Sequence, residues 1–475
     1  MRSVFSLLTV GALAWGVLTF GAVYPWAYRP LLVALAGLGT WGAFAPAGSS
    51  TRRVNRNLAI GLALLASAVA LQLVPVPRDT LLAISPSADS LLRHYDLAYA
   101  SSSTEGGVVA RHALSIQPQQ TWLGLLCLVC LGVFLLGLTR ALTTARVSDL
   151  GSGLIVVGLV VAMIAVVQRP FFGGRIYGIW IPAAGLLPFG PAGGPFGPFV
   201  NRNHFAGWML MALPLAIGHL CGMVAGGSKT ANAGWRARLV RLSTRDASHV
   251  VFAGSAILVM SLALALTLSR SGLICLIVAL LVSALVVSRR GAGRSRKVLV
   301  LGSLMALVIF TISWTGVDAI AGRFERLGSD ADGRFLPWQD AWRVTTAFPW
   351  TGTGLNTYGT AMLFYQTFQA GQIHYAQAHN DYLQLLAEGG MLLAVPAGIL
   401  FVLFVREVWR RFAERADDVH AYWIRCGAVT GVVAIALQEI VDFSLQIPGN
   451  AAMFVLLCGI AARKSGGHAR ASQRS

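Results

Sequence analysis

Leu154-Ile155-Val156-Val157-Gly158-Leu159-Val160-Val161-Ala162-Met163-Ile164-Ala165-Val166-Val167 carries no charged or amide side chain. The apolar stretch around it, 150–168, is long enough to cross about 30 Å of hydrocarbon at about 1.5 Å per residue. Working outward, similar stretches recur near 3–22, 31–48, 57–76, 120–139 and 205–224. A second set lies near 249–269, 271–288, 298–317, 390–405, 422–441 and 450–463. A backbone in lipid must satisfy its own polar groups, so these stretches predict about twelve transmembrane helices in an all-α polytopic membrane protein. Composition agrees: of 475 residues, 56% are hydrophobic and 12% charged, with a mean hydropathy of +0.66. That balance excludes an ordinary soluble domain.

The formal charge of +18 is first a topology signal, because short loops rich in Lys and Arg stay in the cytoplasm. Alternate loops hold Arg52, Arg53 and Arg56; Arg140 and Arg146; Lys229 to Arg245; and Arg289 to Lys297. Arg406 to Arg415 and the tail from Arg463 continue the pattern, placing both termini in the cytoplasm. The clusters are short and lie beside spans, where anionic headgroups account for them, and no nucleic-acid partner is expected. The first span is followed by Tyr24-Pro25-Trp26-Ala27-Tyr28, an interfacial aromatic belt rather than a cleavage site, and is expected to be retained. All six cysteines fall inside expected spans, so neither disulfides nor a structural metal are expected, and no cofactor.

Three outside segments are too long for simple connectors: 77–119, 169–204 and 318–389. The chain therefore divides into spans 1–9 over 1–317, an outer loop over 318–389, spans 10–12 over 390–463 and a tail over 464–475. The first segment reads as polar and loop-like, either a solvated lid or spacer or a substrate contact, with one short helix around Leu91 to Tyr99. The second is rich in Gly and Pro, cannot stay helical, and should fold back over the membrane surface. It ends in Asn201-Arg202-Asn203-His204, donors at the start of a span, placed either to cap the helix through Asn201 or Asn203 or to contact a polar headgroup. The third reads as a small helical subdomain between spans 9 and 10. There, Phe335, Trp338, Trp342 and Thr345 share a helical face.

Candidate chemistry concentrates at this end. Arg270, in Leu268-Ser269-Arg270-Ser271-Gly272, interrupts two spans with almost no loop, and a charge at that depth is a functional candidate by default. Arg270 and Arg334 offer planar bidentate donors suited to a phosphate or diphosphate at the bilayer surface. His379, in Gln377-Ala378-His379-Asn380-Asp381, has the imidazole chemistry for taking a proton from a hydroxyl near neutral pH. Arg202, Asn203, Trp338, Arg343, His374 and Asn380 are expected to line the substrate. Thr351-Gly352-Thr353-Gly354 lacks the spacing of a phosphate-binding loop and reads as a tight turn. Gln438, Glu439, Asp442, Gln446 and Asn450 flank the last outer loop, either touching sugar hydroxyls or bracing the subdomain.

On Ser269-Arg270-Ser271-Gly272, on Arg334 with Trp338 and Trp342 ahead of Pro349-Trp350-Thr351-Gly352-Thr353-Gly354, and on His379-Asn380 followed by Glu388-Gly389-Gly390, the chain resembles the O-antigen ligase and O-antigen polymerase superfamily. Asn203 resembles that family's Asn before a span. The resemblance covers about residues 200–450 and implies a GT-C-like membrane fold with a periplasmic active site in the bacterial inner membrane. It implies transfer of glycan from undecaprenyl diphosphate to an acceptor hydroxyl, lipid A-core or another glycan, with inversion and without metal. Arg270 and Arg334 would then bind the diphosphate, and His379 would be the base. Leu393-Ala394 stand where the ligase branch carries Gly-Thr, so polymerases and protein O-oligosaccharyltransferases remain open beside ligases. A lipid-linked glycan transporter is the reading from another class, but the two halves show none of the similarity expected of transporter repeats.

Overall fold

A computed structural model of the chain describes residues 3–44, 55–102, 111–182, 194–226, 245–289, 327–367, 374–414 and 418–464. Every stretch expected to span falls on a helix, except 298–317, which lies outside the described residues. Among the described residues, Pro118–Ala141, Thr144–Phe171, Arg202–Ala225, Ala247–Leu266, Asp381–Ala413 and Val419–Gln438 are long and apolar enough to cross a membrane. Val4–Leu18, Arg56–Leu71, Arg270–Ala284 and Pro448–Ala462 are apolar but shorter. The protein is thus an all-α polytopic membrane protein, with six helices among the described residues that meet the length and hydropathy of a full span. Local chemistry sets the helix starts. Asn55, Thr143 and Asn380 each accept a backbone N–H of the first turn, and proline opens the helices at Pro118 and Pro448.

Lipid tails are as apolar as leucine, so small residues and close backbone approach hold spans together. The tightest pair is Arg202–Gly226 against Val419–Gln438. A Cβ on Gly427 would stand 3.0 Å from Leu215 Cα and nearer still to the Pro214 carbonyl, and one on Gly218 would meet the Trp423 carbonyl. This contact sets the register at one end of the pair, where the Gln438 amide donates to the Asn203 carbonyl at 3.2 Å. At the other end Arg425 is buried and donates to the carbonyls of Arg411 and Arg463, so its charge faces two helix C-termini.

The first outside segment is more than the expected lid. Pro75–Pro77 pairs antiparallel with Arg111–Ala113, and between them run Arg78–Ile84, Pro86–Tyr95 and Leu97–Ser102, so the single short helix expected near Leu91 to Tyr99 is two, broken at Asp96. Leu81, Leu91, Leu92 and Tyr99 share one core with Val344, Phe348, Tyr358 and Met362 of the third segment. The residues that do this are apolar at helical spacing, which a lid would not need. The described part of the second segment, 169–182, turns back onto the neighbouring helices. Tyr177 N–H donates to Gln168 Oε1 at 2.7 Å, and the Trp180 ring stacks on Phe20 at 4.9 Å.

Gly427→Leu should force the two spans apart and cost about 1–3 kcal/mol as an overpacked core does. Thermal melting in detergent reads this directly, and an unshifted melting point would contradict the backbone contact.

Candidate active site

A break in one helix organises this end of the molecule. Asp381–Ala413 runs as one helix except at Gly390, whose φ of +52° is left-handed. Such a break strands backbone groups that need partners. The 349–354 turn supplies them: Thr353 N–H donates to Ala387 O at 3.0 Å and Gly354 N–H to Glu388 O at 2.9 Å. In return, Met391 and Leu392 N–H donate to Pro349 O and Trp350 O, both at 2.9 Å. Gly352 has a φ of +64°, and a Cβ there would collide with the Glu388 backbone. The glycine run is therefore the tight turn expected, shaped to fit the break.

Two buried side chains lock the turn down. Glu388 accepts Asn356 N–H at 2.7 Å, Tyr358 N–H at 3.0 Å and the Gln384 amide at 3.1 Å. Gln72, at the end of the Arg56–Leu71 helix, donates to Thr351 O at 2.7 Å and Glu388 O at 2.9 Å and accepts Leu355 N–H at 3.0 Å. Gln72 had no motif to mark it; its one sequence signal is an amide at the end of an apolar run.

His379 sits immediately before this helix, half-buried, with a φ of +51°. A β-carbon makes that backbone cost about 1–2 kcal/mol relative to the usual regions. Its ring meets Phe443 edge-on at 4.8 Å, and Phe443 meets His204 edge-on at 4.6 Å. His204 Nε2 lies 3.9 Å from Asp442 Oδ1. Asp381 N–H donates to Glu439 O at 3.0 Å, tying the His379 turn to the last outer loop.

Arg270 is the first residue of the Arg270–Arg289 helix and is half-buried. The break before it is also strained: Leu268 has a φ of +54°, Ser269 N–H donates to Thr267 Oγ1 at 3.0 Å, and Gly272 N–H donates to Ser269 Oγ at 3.3 Å. Gly272 packs on Ala206, whose helix carries Asn203 and His204. Arg270 and His379 thus stand at the same end, on elements joined through the Asn203–Ala206 turn and Phe443.

The other expected site residues separate by setting. Asn201, not Asn203, caps the Arg202–Gly226 helix, accepting Asn203 N–H at 2.8 Å. Asn203 uses its carbonyl to hold Gln438, and Arg202 is half-buried beside it. Asn380 accepts Leu383 N–H at 3.0 Å as the cap of its helix. Arg343 is paired with Asp340 at 3.1 Å and donates to Thr367 Oγ1 at 2.7 Å. Trp338 is half-buried on the Leu327–Ala347 helix, and His374 is exposed. Arg334 lies on that same helix, and its side chain is outside the described residues.

The family described as O-antigen ligase matches residues 255–396. Over that segment the chain is similar to the O-antigen ligase family. The match takes in Arg270, Arg334, His379 and the Glu388-Gly389-Gly390 break, and it bears out the resemblance drawn from those motifs. Asn203 and the last outer loop lie beyond it. No curated protein matches the chain. The family makes this end of the bundle the place to look for glycosyltransfer.

The loop between the last two helices adds a titratable feature to this end of the molecule. Burial, and after it the neighbouring Asp381 and Asp442 carboxyls, push Glu439 well above the usual carboxylate range. A carboxyl raised on folding favours its protonated form, so its contribution is full below the ordinary range and is lost as pH rises. Glu439→Gln keeps the neutral form at every pH. Its melting temperature should gain on the wild type steadily between about pH 5 and pH 9, and a constant difference across that window would show that Glu439 ionises in the fold at no cost.

Proposed function

We propose that the protein transfers a glycan from undecaprenyl diphosphate to an acceptor hydroxyl on the periplasmic face of the bacterial inner membrane. The observation that carries this reading is the placement of Arg270 and His379 at one end of the bundle, on elements joined through Ala206, His204 and Phe443. Each stands at a helix start next to left-handed backbone, and both fall within the family match. Strained backbone collects at functional sites because the surrounding structure must over-determine it.

Arg270 stands at the positive end of its helix, so guanidinium and helix dipole both favour an anion there. Arg334, on the helix whose core faces the same subdomain, is the second cation for the diphosphate. Two fixed cations can take up the charge that grows on the departing diphosphate, which is why the reaction is read as metal-independent. His379 removes the acceptor proton as the hydroxyl attacks the anomeric carbon from the face opposite the diphosphate. The C–O bond to the diphosphate breaks as the new glycosidic bond forms, so the configuration inverts. Asn203, Arg202, Trp338, Arg343, His374 and Asn380 are proposed to border donor and acceptor, with lipid A-core as the acceptor. Leu393-Ala394, in place of Gly-Thr, keeps a second glycan chain as the rival acceptor, which would make the protein a polymerase, and a protein hydroxyl as another.

The test is the purified protein in liposomes with an undecaprenyl-diphosphate oligosaccharide, offered lipid A-core and a second lipid-linked glycan. Glycan on lipid A-core supports the ligase, and lengthened lipid-linked chains support the polymerase. His379→Ala should lower the rate by about a hundred-fold or more, the usual weight of a general base. Arg270→Ala and Arg334→Ala should do likewise, and a chelator should leave the rate unchanged. Full activity in His379→Ala would remove it as the base.

A further inference from the structure

The candidate base occupies a backbone conformation that its own side chain disfavours, so something outside it must hold it there. His379 has a φ of +51° and is followed at once by Asn380 at −162°, the start of the Asp381–Ala413 helix. From the helix side, Asn380 is fixed by its own cap and by Gln384 N–H, which donates to Asn380 O at 2.9 Å. From the loop side, the residue before His379 is fixed by one bond: Ala378 N–H donates to the Gln384 side-chain carbonyl at 3.0 Å. Gln384 therefore grips the chain on both flanks of His379.

The side chain that does this is itself immobilised. Gln384 is 7% exposed. Its amide group donates to Glu388 Oε1 at 3.1 Å and to Gln446 Oε1 at 3.3 Å. Glu388 is tied to the 356–358 backbone, and Gln446, from the last outer loop, donates to Asp381 Oδ1 at 2.6 Å. With both amide roles assigned by these neighbours, the side chain cannot flip without losing three bonds. The turn before His379, the helix after it, the docked glycine turn and the last outer loop all converge on this one amide.

Resting on the proposed role of His379 as base, we infer that Gln384 is a positioning residue that holds His379 in its left-handed, proton-accepting pose through the Ala378 N–H. Gln384 touches no reacting atom in this account. Its loss should leave the donor bound by its arginines but misplace the imidazole.

Gln384→Met keeps the volume and removes both polar groups. In the liposome assay with undecaprenyl-diphosphate oligosaccharide, kcat should fall by about a hundred-fold, the scale of a catalytic group misplaced by about 1 Å, while KM for the donor stays within about twofold. Because Gln384 acts through His379, the double variant Gln384→Met/His379→Ala should be no slower than His379→Ala alone. Should Gln384→Met not elute as a folded protein, Gln384→Asn, which draws the same groups back by one methylene, is read by the same split and the same cycle. A raised KM with unchanged kcat, or losses that multiply in the double variant, would overturn the positioning role. Full activity in Gln384 variants beside an inactive His379→Ala overturns this inference alone. Full activity in His379→Ala overturns the base assignment and this inference with it.

Discussion

The break at Gly390 is the constraint on which the rest of this end depends. A helix interrupted at a membrane boundary exposes carbonyls and amides that lipid cannot satisfy. The 349–354 turn meets that need group for group, and in doing so it is itself fixed, together with the Leu327–Ala347 helix that leads into it and the Tyr358–Tyr365 helix that follows. Glu388 and Gln72 then carry the constraint to the neighbouring span and to the first outside segment. The outer subdomain is thus fastened by backbone complementarity at one point, and its small apolar core completes the attachment.

Apolar length made the spans legible, because few alternatives accommodate so long a run without charges. The motif residues were legible from their chemistry and place: an arginine between two apolar stretches and an imidazole ahead of a helix stand out in so apolar a chain. The Asp381–Ala413 helix was only half legible. Gly389-Gly390 reads as the start of a span near 390, whereas the helix begins at Asp381 and passes through the break, since the turn that satisfies it comes from a distant part of the chain. Gln72 and Gln384 were illegible for the same reason. A glutamine in a helix carries no pattern, and its meaning lies in partners that only the fold brings within reach.

Charge at the site is managed by position more than by pairing. Arg270 adds to a helix dipole that already points its positive end the same way, while the carboxyls of Asp381, Glu439 and Asp442 crowd together on the His379 side. Burial and the neighbouring carboxyls favour the protonated form of Glu439, which limits the negative potential on that side. Phe443, set between His204 and His379, keeps the two imidazoles from direct contact.

Below the break, the same helix packs through Leu400 on Gly61 of the Arg56–Leu71 helix. Among the described residues only 17% of its most apolar window is buried, and Val395, Ile399, Val402 and Val405 are exposed. The tilt of a span is set by the helices packed on it and by its interfacial anchors. Gly390 is where this apolar span gives way to the docked turn, so the segment just above it, which begins after His379, is held by backbone hydrogen bonds to a distant part of the chain rather than by the packing of the span below.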